Sequence, residues 1–449
     1  MGISKLTQDQ QKIYQGFITF LLDPNLKNLI IQGSAGTGKT FLTKYLILEG
    51  IPNYRAMCKT LGIPDKYQDF EVTATTNKAV ETLERQIPLP QNKEFCTITS
   101  LLGLRVSYNS SLRKQTLVPN DQLSSIQSNK IIFIDECSMI NSELFNFINE
   151  RCNNCKIVYI GDKYQLPPVK EKISPIYNCN YPELTLTQPV RNAGNPALMT
   201  LCEQLKNTCE TGVWKDIHSV AGSIEVIKDG ETWQKIIDKA FTKFDYYQRI
   251  LAYSNNLVSN YAEYLMQLRG ETDYLVPSSV YSSNAYYSRK SANNIINLHV
   301  DSLVTLVDID KDVSDDIYKS LHINVDEGKA KNILSKVTVY SPTLHKRWID
   351  VTFSKPEYYQ SYMKQLYKQS PAEYYSLSKK ILDLRMIEAT TVHKAQGSTL
   401  DTVYIDLDDI SKCTQKDLTA KLLYVAVSRA KNKVVFFGDL AKRYGVSVM

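Results

Sequence analysis

The sequence lacks the long apolar segments of a membrane protein: none of its 449 residues lie in a stretch approaching the ~18 apolar residues that a spanning helix needs. Its first ten residues, MGISKLTQDQ, lack the apolar core of a signal peptide. Glycine and proline are scarce, at 18 and 16 residues, which excludes a fibrous or low-complexity chain. An excess of one charge is also missing, because 53 Lys and Arg face 47 Asp and Glu. We therefore expect a globular cytoplasmic protein with no membrane partner, and its charge of +6 is too small to identify a polyanionic one.

Cysteines are few and do not form a recognisable framework. Their number is odd, nine, and they are scattered along the chain, which favours reduced thiols in a cytoplasmic compartment. Cys152 and Cys155 form one C-x-x-C pair. A structural zinc site usually needs a second pair at a defined spacing, and the sequence has none. We therefore expect no zinc site.

Short apolar strands alternate with amphipathic helices in two parts of the chain. Strands are predicted at 28–32, 70–75, 131–134 and 156–160 in the first part, and at 249–253, 387–392, 402–407 and 433–437 in the second. Such alternation is typical of parallel α/β construction. The predicted fold class is therefore α/β, with two parallel-sheet domains, which residues 1–103 with 122–186 and residues 187–269 with 386–449 would form.

Each of these domains is interrupted by a segment with a different pattern. Residues 104–121 alternate polar and apolar side chains, which predicts an inserted β-hairpin. Residues 270–385 contain strands rich in β-branched residues, which predicts a small β-barrel-like domain with two following helices. Those helices open with Ser354-x-x-Glu357 and Ser370-x-x-Glu373, the pattern of a capping box. Six tyrosines in them fit either core packing or base stacking: Tyr358, Tyr359, Tyr362, Tyr367, Tyr374 and Tyr375.

A phosphate-binding motif lies between the first predicted strand and the next helix. It has the form G-x-x-x-x-G-K-[ST] and consists of Gly33, Ser34, Ala35, Gly36, Thr37, Gly38, Lys39 and Thr40. Its glycines allow backbone N–H groups to surround phosphate oxygens. Lys39 would contact the β- and γ-phosphates, and the Thr40 hydroxyl would bind Mg²⁺. This motif predicts ATP and Mg²⁺ as cofactors.

Two acidic residues, Asp135 and Glu136, follow the apolar strand 131–134 directly. The carboxyl ends of parallel strands lie at one edge of the sheet, so we expect both side chains beside the phosphate-binding loop. Asp135 would hold the Mg²⁺ shell, while Glu136 would activate the attacking water.

The remaining motifs discriminate among classes of P-loop protein. The base-reading N-K-x-D motif of a GTPase is absent, since Asn77-Lys78-Ala79-Val80 lacks the aspartate. Further blocks resemble, in order, those of superfamily 1 DNA helicases, most closely the 5′→3′ (superfamily 1B) branch that contains RecD and the phage Dda helicase. They are Leu6-Thr7-x-x-Gln10, Ala74–Ala79, Thr97–Ser100, Gly161–Val169, Leu186-Thr187-x-x-x-Arg191, Thr391–Asp401 and Tyr424–Ala430.

The resemblance implies roles for individual residues. It makes both parallel-sheet domains RecA-like, with the nucleotide held between them, and Gln165 the sensor of the γ-phosphate. Arg191 and Arg429 would stabilise the transferred phosphoryl group, which suits a permanently charged guanidinium. Gln10 would read adenine, and Gln396 and Gly397 would complete the nucleotide site. The residues Thr7-x-x-Gln10 also fit a capping box at the start of the first helix, and the two interpretations can coexist. The expected DNA contacts are Thr75, Thr76, Asn77, Thr97, Thr391, His393 and Ser398, and Tyr108 is a candidate wedge on a hairpin pin.

The sequence thus predicts an ATP-dependent helicase, a monomer, that translocates 5′→3′ on single-stranded DNA and opens duplex or forked DNA. Replication, recombination or repair would be its setting, in the host cytoplasm if phage-encoded, with proteins of those pathways as further partners. Three alternatives stay open at this point: a 3′→5′ superfamily 1 helicase, a DNA-stimulated ATPase that acts as a binding or recombination mediator without unwinding, and a P-loop switch that ignores nucleic acid.

Overall fold

The computed structural model describes residues 6–109, 114–120, 126–188, 194–291, 294–298, 300–321, 333–342 and 344–449. Its helices are α1 (Gln8–Leu22), α2 (Lys39–Tyr45), α3 (Ile51–Leu61), α4 (Asn77–Gln86), α5 (Ile98–Leu101), α6 (Ser142–Arg151), α7 (Pro196–Thr211), α8 (Gly230–Phe241), α9 (Asn255–Leu268), α10 (Asp315–Ser320), α11 (Pro356–Gln369), α12 (Pro371–Ser378), α13 (Val392–Ala395), α14 (Leu407–Ile410) and α15 (Lys416–Val427). Within the described ranges no helix has both the length and the apolar character that crossing a bilayer demands.

The strands are β1 (Asn28–Gly33), β2 (Asp69–Ala74), β3 (Cys96–Thr97), β4 (Leu104–Asn109), β5 (Lys114–Pro119), β6 (Gln127–Ser128), β7 (Lys130–Asp135), β8 (Cys152–Asn153), β9 (Lys156–Gly161), β10 (Glu183–Leu186), β11 (Ile224–Ile227), β12 (Gln248–Ala252), β13 (Val280–Ser283), β14 (Tyr287–Ser291), β15 (Asn294–Leu298), β16 (Leu303–Asp310), β17 (Leu334–Ser341), β18 (Lys346–Phe353), β19 (Leu384–Met386), β20 (Ala389–Thr391), β21 (Leu400–Asp406) and β22 (Ala430–Phe437).

By compactness the chain divides into two units, a first unit of Met1–Lys228 with Ala395–Met449 and a second unit of Asp229–Lys394. The domain boundaries predicted above follow changes of sequence pattern rather than compactness, and they stay a prediction. The predicted fold class, α/β with two parallel-sheet RecA-like domains, is confirmed, since β1 and its neighbours form one parallel sheet and β11, β22 and β21 belong to another.

The first unit contains a six-stranded parallel sheet in the order β10-β1-β9-β7-β2-β3. Alternate residues of β1 face opposite sides: Leu29 and Ile31 join one apolar cluster, while Ile30 joins another. Both faces of the sheet are therefore covered, which explains why its strands read as continuous apolar runs. A second parallel arrangement in this unit has the order β11-β22-β21.

The carboxyl edge of the six-stranded sheet gathers the predicted motifs. The phosphate-binding loop follows β1, the 161–169 block follows β9, and the acidic pair follows β7. The 74–79 block then follows β2, and Thr97 ends β3. Because these strands are neighbours in the sheet, segments far apart in sequence line one edge.

An antiparallel hairpin follows α5 in the first unit. Strand β4 pairs with β5 from Leu104 opposite Pro119 to Asn109 opposite Lys114. These strands lie within the segment 104–121 that was predicted to form a hairpin. Residues 110–113 and the side chain of Tyr108, the predicted wedge, lie outside the described part of the structure.

The second unit combines a parallel pair, β12 with β20, and an antiparallel sheet in the order β18-β17-β16-β13-β19. This sheet curls back on itself. The N–H of Leu382, just before β19, donates to the Val351 carbonyl at 3.2 Å. The Thr352 hydroxyl also donates to the Leu382 carbonyl at 2.6 Å. The two edges of the sheet therefore meet at this point.

One predicted cap in the second unit is wrong. Helix α11 begins at Pro356 with Lys355 at its N-cap, and that N-cap makes no side-chain hydrogen bond. The Ser354 hydroxyl instead lies 2.8 Å from the hydroxyl of Ser335. Ser370 does cap α12, since its hydroxyl accepts the N–H of Glu373 at 3.4 Å.

Candidate functional site

The phosphate-binding loop needs its glycines for geometric reasons. Gly36 and Gly38 have φ of 82° and 84°, in the left-handed region that side chains disfavour. A Cβ on Gly33 would come within 2.7 Å of the Thr37 hydroxyl oxygen. The sequence G-x-x-G-x-G therefore allows a tight loop whose backbone N–H groups face inward, with Thr37 buried beneath it.

Lys39 is held across this loop. Its ammonium group donates to the carbonyls of Gly33 at 2.7 Å and Ser34 at 3.2 Å. The Thr37 hydroxyl also donates to the Ser34 carbonyl, at 2.9 Å. Thr40 follows at the second position of α2, so its hydroxyl belongs to the first helical turn, next to the loop.

The acidic pair lies at the end of β7 in a constrained backbone. Glu136 has φ of 53°, and its N–H donates to Oδ1 of Asp135 at 2.9 Å. Burial, followed by the negative charge of Glu136, raises the pKa of Asp135 to about 7. The positive charge of Lys39 acts in the opposite direction. Among the described residues, Oε2 of Glu136 is buried and has no hydrogen-bond partner.

These features fit a divalent cation. A desolvated carboxyl gains most from a nearby positive charge, and carboxylate and hydroxyl oxygens are the ligands that Mg²⁺ prefers. Asp135 and Thr40 provide such oxygens. Glu136, with an unpartnered oxygen, is suited to accept a proton or a hydrogen bond from a water molecule.

A buried tyrosine connects the phosphate-binding loop to the end of β9, the strand beside β1 in the sheet. The Tyr424 hydroxyl donates to Oδ2 of Asp162 at 2.7 Å and accepts the N–H of Ala35 at 3.2 Å. Asp162, which follows β9, also accepts the N–H of Tyr164 at 3.0 Å. Sequence reasoning missed Tyr424 and Asp162 as site residues, although both lie inside the quoted blocks.

Two glutamines predicted for separate roles contact each other. The amide of Gln396 donates to the side-chain oxygen of Gln165 at 2.8 Å, and both residues are buried. The 161–169 and 391–401 blocks therefore meet at this hydrogen bond. Nearby, Lys78 donates to the hydroxyl of Ser398 at 2.7 Å, which joins the 74–79 block to the same segment. Gly397, between these contacts, has φ of 81°.

Arg429 lies buried at the end of α15. Its guanidinium donates to the Val425 carbonyl at 3.1 Å, to the Ser428 hydroxyl at 2.9 Å and to the Ser398 carbonyl at 3.4 Å. Burial lowers its pKa, while the negative charge of Glu136 acts to raise it. Among the acidic pair, it is thus Glu136 whose charge acts on this guanidinium. Arg191, the other predicted arginine, lies outside the described residues.

A small cavity of about 40 Å³ joins the loop to α7 and α15. Ser34, Ala35 and Thr37 line one wall, and Tyr424 and Ser428 line another. The structure therefore brings together, in the first unit, the phosphate-binding loop, the acidic pair, Gln165, Gln396 and Arg429.

The predicted adenine-reading Gln10 has a structural role in the described contacts. Its side-chain oxygen accepts the N–H of Thr7 at 3.1 Å, and the Thr7 hydroxyl accepts the N–H of Gln10 at 3.3 Å. This is the predicted capping box at the start of α1. Asp9, the residue before Gln10, accepts the N–H of Thr187 at 2.9 Å, and this contact connects α1 to the segment after β10.

Four predicted DNA contacts lie along the carboxyl edge of the sheet. Thr75 donates through its hydroxyl to the Glu136 carbonyl at 3.1 Å, beside the acidic pair. Thr76 and Thr97 are the N-caps of α4 and α5, and Asn77 is the first residue of α4. Helix N-termini at a sheet edge present N–H groups, which suit phosphate contacts.

Two more predicted contacts lie in the second unit. The Thr391 side chain is buried, and its hydroxyl accepts the N–H of Lys394 at 3.4 Å. His393 is exposed at the surface, with its ring centroid 6.4 Å from that of Tyr253.

Comparisons with known proteins agree with this arrangement. Residues 23–171 match the AAA domain family, and residues 386–437 match the UvrD-like helicase C-terminal domain family. The chain is 22% identical to the ATP-dependent DNA helicase Dda of Enterobacteria phage T4, over 97% of this chain and 100% of the relative. It is also 22% identical to an uncharacterized protein of Acanthamoeba polyphaga mimivirus, over 95% of this chain and 98% of the relative. Identity to the RecBCD subunit RecD of Buchnera aphidicola is 30%, over 40% of this chain and 29% of the relative.

A phosphate-binding loop after the strand β1 and an acidic pair after β7, at one edge of a parallel sheet, define a P-loop ATPase. Within that class the ordered motifs and the matches show that the chain resembles the superfamily 1B helicases Dda and RecD. The family resemblance stated from the sequence is confirmed.

Proposed function

We propose that this protein is an ATP-dependent DNA helicase that translocates 5′→3′ on single-stranded DNA and separates the strands of duplex or forked DNA. The observation that carries the proposal is the buried network in which Tyr424 joins the loop to Asp162 and Gln396 joins Gln165. This network connects the residues around the phosphates to segments that carry predicted DNA contacts. A P-loop switch that ignores nucleic acid would have no use for such a connection.

The residues of the site divide the work of phosphoryl transfer. The loop N–H groups and Lys39 bind and orient the phosphates, and Glu136 takes the proton of the attacking water. Arg429, together with Arg191, stabilises negative charge on the transferred group. Bound Mg²⁺, held by Thr40 and Asp135, would neutralise further phosphate charge. Gln10 and Gly397 would complete the nucleotide site.

Gln165 couples this chemistry to the strand. Because Gln165 is hydrogen-bonded to Gln396, a shift of Gln165 would displace the segment that also contains Ser398, two residues further on. Thr75, Thr76, Asn77, Thr97, Thr391 and His393 are the proposed contacts to the strand. Replication, recombination or repair is the proposed setting, and the monomer the proposed active form.

The first experiment measures ATP hydrolysis with and without single-stranded oligonucleotide. We expect stimulation by DNA, and we expect Lys39→Ala and Glu136→Gln each to lower the stimulated rate by about 100-fold or more, since each removes a group that acts in the transition state. The exposed residues Lys27 and Glu150 provide matched controls, Lys27→Ala and Glu150→Gln, which should hydrolyse ATP like the wild type. Unchanged turnover in Lys39→Ala would refute the site.

Unwinding of duplexes with a 5′ or a 3′ single-stranded tail then tests the polarity. The proposal requires unwinding of the 5′-tailed duplex alone. Unwinding of the 3′-tailed duplex alone would identify a motor of the opposite direction. DNA-stimulated hydrolysis without unwinding of either substrate would favour a binding or recombination mediator.

A further inference from the structure

A large cavity in the second unit is lined mainly by residues to which the mechanism above gives no role. Its volume is about 1010 Å³, and it lies among α9, α11, α12 and the ends of β19 and β20. Five tyrosines of α11 and α12 line it: Tyr358, Tyr359, Tyr367, Tyr374 and Tyr375. A cavity of this size with so many aromatic side chains is at the upper end of the range for ligand sites.

Core packing explains only part of this tyrosine group. Tyr359 is 8% exposed and packs edge to face on Phe353 with a centroid distance of 5.4 Å, so it belongs to the core. Tyr358 and Tyr367, in contrast, are 39% and 38% exposed. Tyr367 packs edge to face against Tyr374 at 5.2 Å, and Tyr374 against Tyr375 at 4.9 Å. These contacts fix the orientation of aromatic rings at the cavity wall before any ligand arrives.

Lysines accompany the exposed rings, and two carboxylates, those of Glu263 and Glu357, line the same cavity. Lys364 lies three residues before Tyr367, a spacing that places the two side chains next to each other on α11. Lys355 is the N-cap residue of the same helix, three residues before Tyr358. Both lysines are exposed and line the cavity. Arg385 also lines it, but Asp383 neutralises its charge at 2.7 Å. Lysines alternating with exposed aromatic rings are the combination that binds unpaired nucleotides.

The cavity is continuous with a predicted DNA contact. Thr391 and Lys394, of the block 391–401, line the same cavity as the tyrosines. A strand held at Thr391 therefore has direct access to the rings of α11 and α12.

We propose that this cavity binds unpaired nucleotides of the translocated strand. Tyr358 and Tyr367 stack on bases, and Lys355 and Lys364 pair with phosphates. This inference rests on the proposed function, because it concerns the same strand. It adds a contact surface beyond the helicase motifs, made by residues of this chain that belong to none of the blocks quoted above.

The test measures binding of a fluorescent oligo(dT) of about 16 nucleotides by anisotropy, together with a backbone of the same length without bases. Each lost base stack weakens binding about 5-fold or more, so Tyr358→Ala/Tyr367→Ala should weaken oligo(dT) binding about 30-fold or more. Binding of the abasic strand should hardly change, and Tyr358→Phe/Tyr367→Phe should restore the wild-type affinity. The control is Tyr246→Ala/Tyr247→Ala. These two tyrosines belong to the same unit and are 38% and 55% exposed, but they do not line the cavity and belong to none of the quoted motifs.

A second variant tests the lysines independently of the rings. For single strands the slope of log K against log[salt] changes by about 0.7 per phosphate contact, so Lys355→Ala/Lys364→Ala should flatten it by about 1.4. An unchanged slope together with unchanged affinity of the tyrosine variant would overturn the cavity proposal alone. If the wild-type protein bound no oligonucleotide, the proposed function would fail as well, so the two failures are distinguishable.

Discussion

At the residue scale, Tyr424 shows how much of the site depends on one hydroxyl group. It is 1% exposed, accepts a hydrogen bond from the phosphate-binding loop at Ala35, and donates one to Asp162. Removing this buried hydroxyl would take away the hydrogen-bond acceptor of the Ala35 N–H and the donor to Oδ2 of Asp162. Its position in the loop wall makes Tyr424 a positioning residue for the phosphates.

We expect Tyr424→Phe to lower the free energy of unfolding by about 1–3 kcal/mol and to raise the KM for ATP. Chemical unfolding and steady-state ATPase kinetics measure the two effects. Tyr444→Phe is the matched control, because the Tyr444 hydroxyl is also buried and donates to the Cys413 carbonyl at 2.8 Å, but contacts no motif residue among those described. Equal KM values in both variants would contradict the positioning role.

Residue identities alone could not have revealed this contact. Tyr424 and Asp162 are 262 positions apart, and only the packing of α15 against the end of β9 brings them together. The same is true of Gln165 and Gln396, which are 231 positions apart. Lys39 could be predicted from the phosphate-binding motif, and Asp135 and Glu136 from their position at the end of an apolar strand, because both features are local in the sequence.

At the element scale, the strand order places motifs that are far apart in sequence along one edge of the sheet. Strands predicted from apolar runs at 28–32, 70–75, 131–134 and 156–160 are confirmed as β1, β2, β7 and β9, with ends shifted by at most one residue. The capping box of α1 is also confirmed, because Thr7 and Gln10 satisfy each other locally. The expected cap at Ser354 is wrong, because Pro356 starts α11 one residue later than that cap requires and Ser354 pairs with Ser335 instead.

The hairpin β4–β5 is the element whose role can be tested by deletion. Replacing residues 105–120 by a short Gly-Ser linker should impair unwinding of a 5′-tailed duplex more than translocation on single-stranded DNA, since a pin acts only at the fork. Strand-separation and streptavidin-displacement assays measure the two activities. The linker leaves the sheet intact, because β4 and β5 pair with each other and with no other described strand. Equal loss of both activities would argue against a pin.

At the scale of the whole molecule, nucleotide binding should raise the free energy of unfolding by a measurable amount. Mg²⁺–ADP at about 100 times its Kd should stabilise the folded protein by about 2.7 kcal/mol, by mass action on the native state. We expect a raised thermal midpoint in the wild type and in Glu136→Gln, whose change affects the water rather than the phosphates. Lys39→Ala should lose the shift, and EDTA should reduce it in all proteins. A full shift in Lys39→Ala would show that the nucleotide binds elsewhere.

The sequence by itself determined the fold class, the phosphate-binding loop and the acidic pair, because apolar periodicity and strand-end positions are local properties of the chain. The order of its motifs also indicated the resemblance to superfamily 1B helicases. Tertiary structure alone decided that Tyr424 meets Asp162 and Ala35 and that Gln165 meets Gln396. It also divided the tyrosines of α11 and α12 into a core residue and exposed rings, because burial depends on long-range packing that helical spacing does not specify.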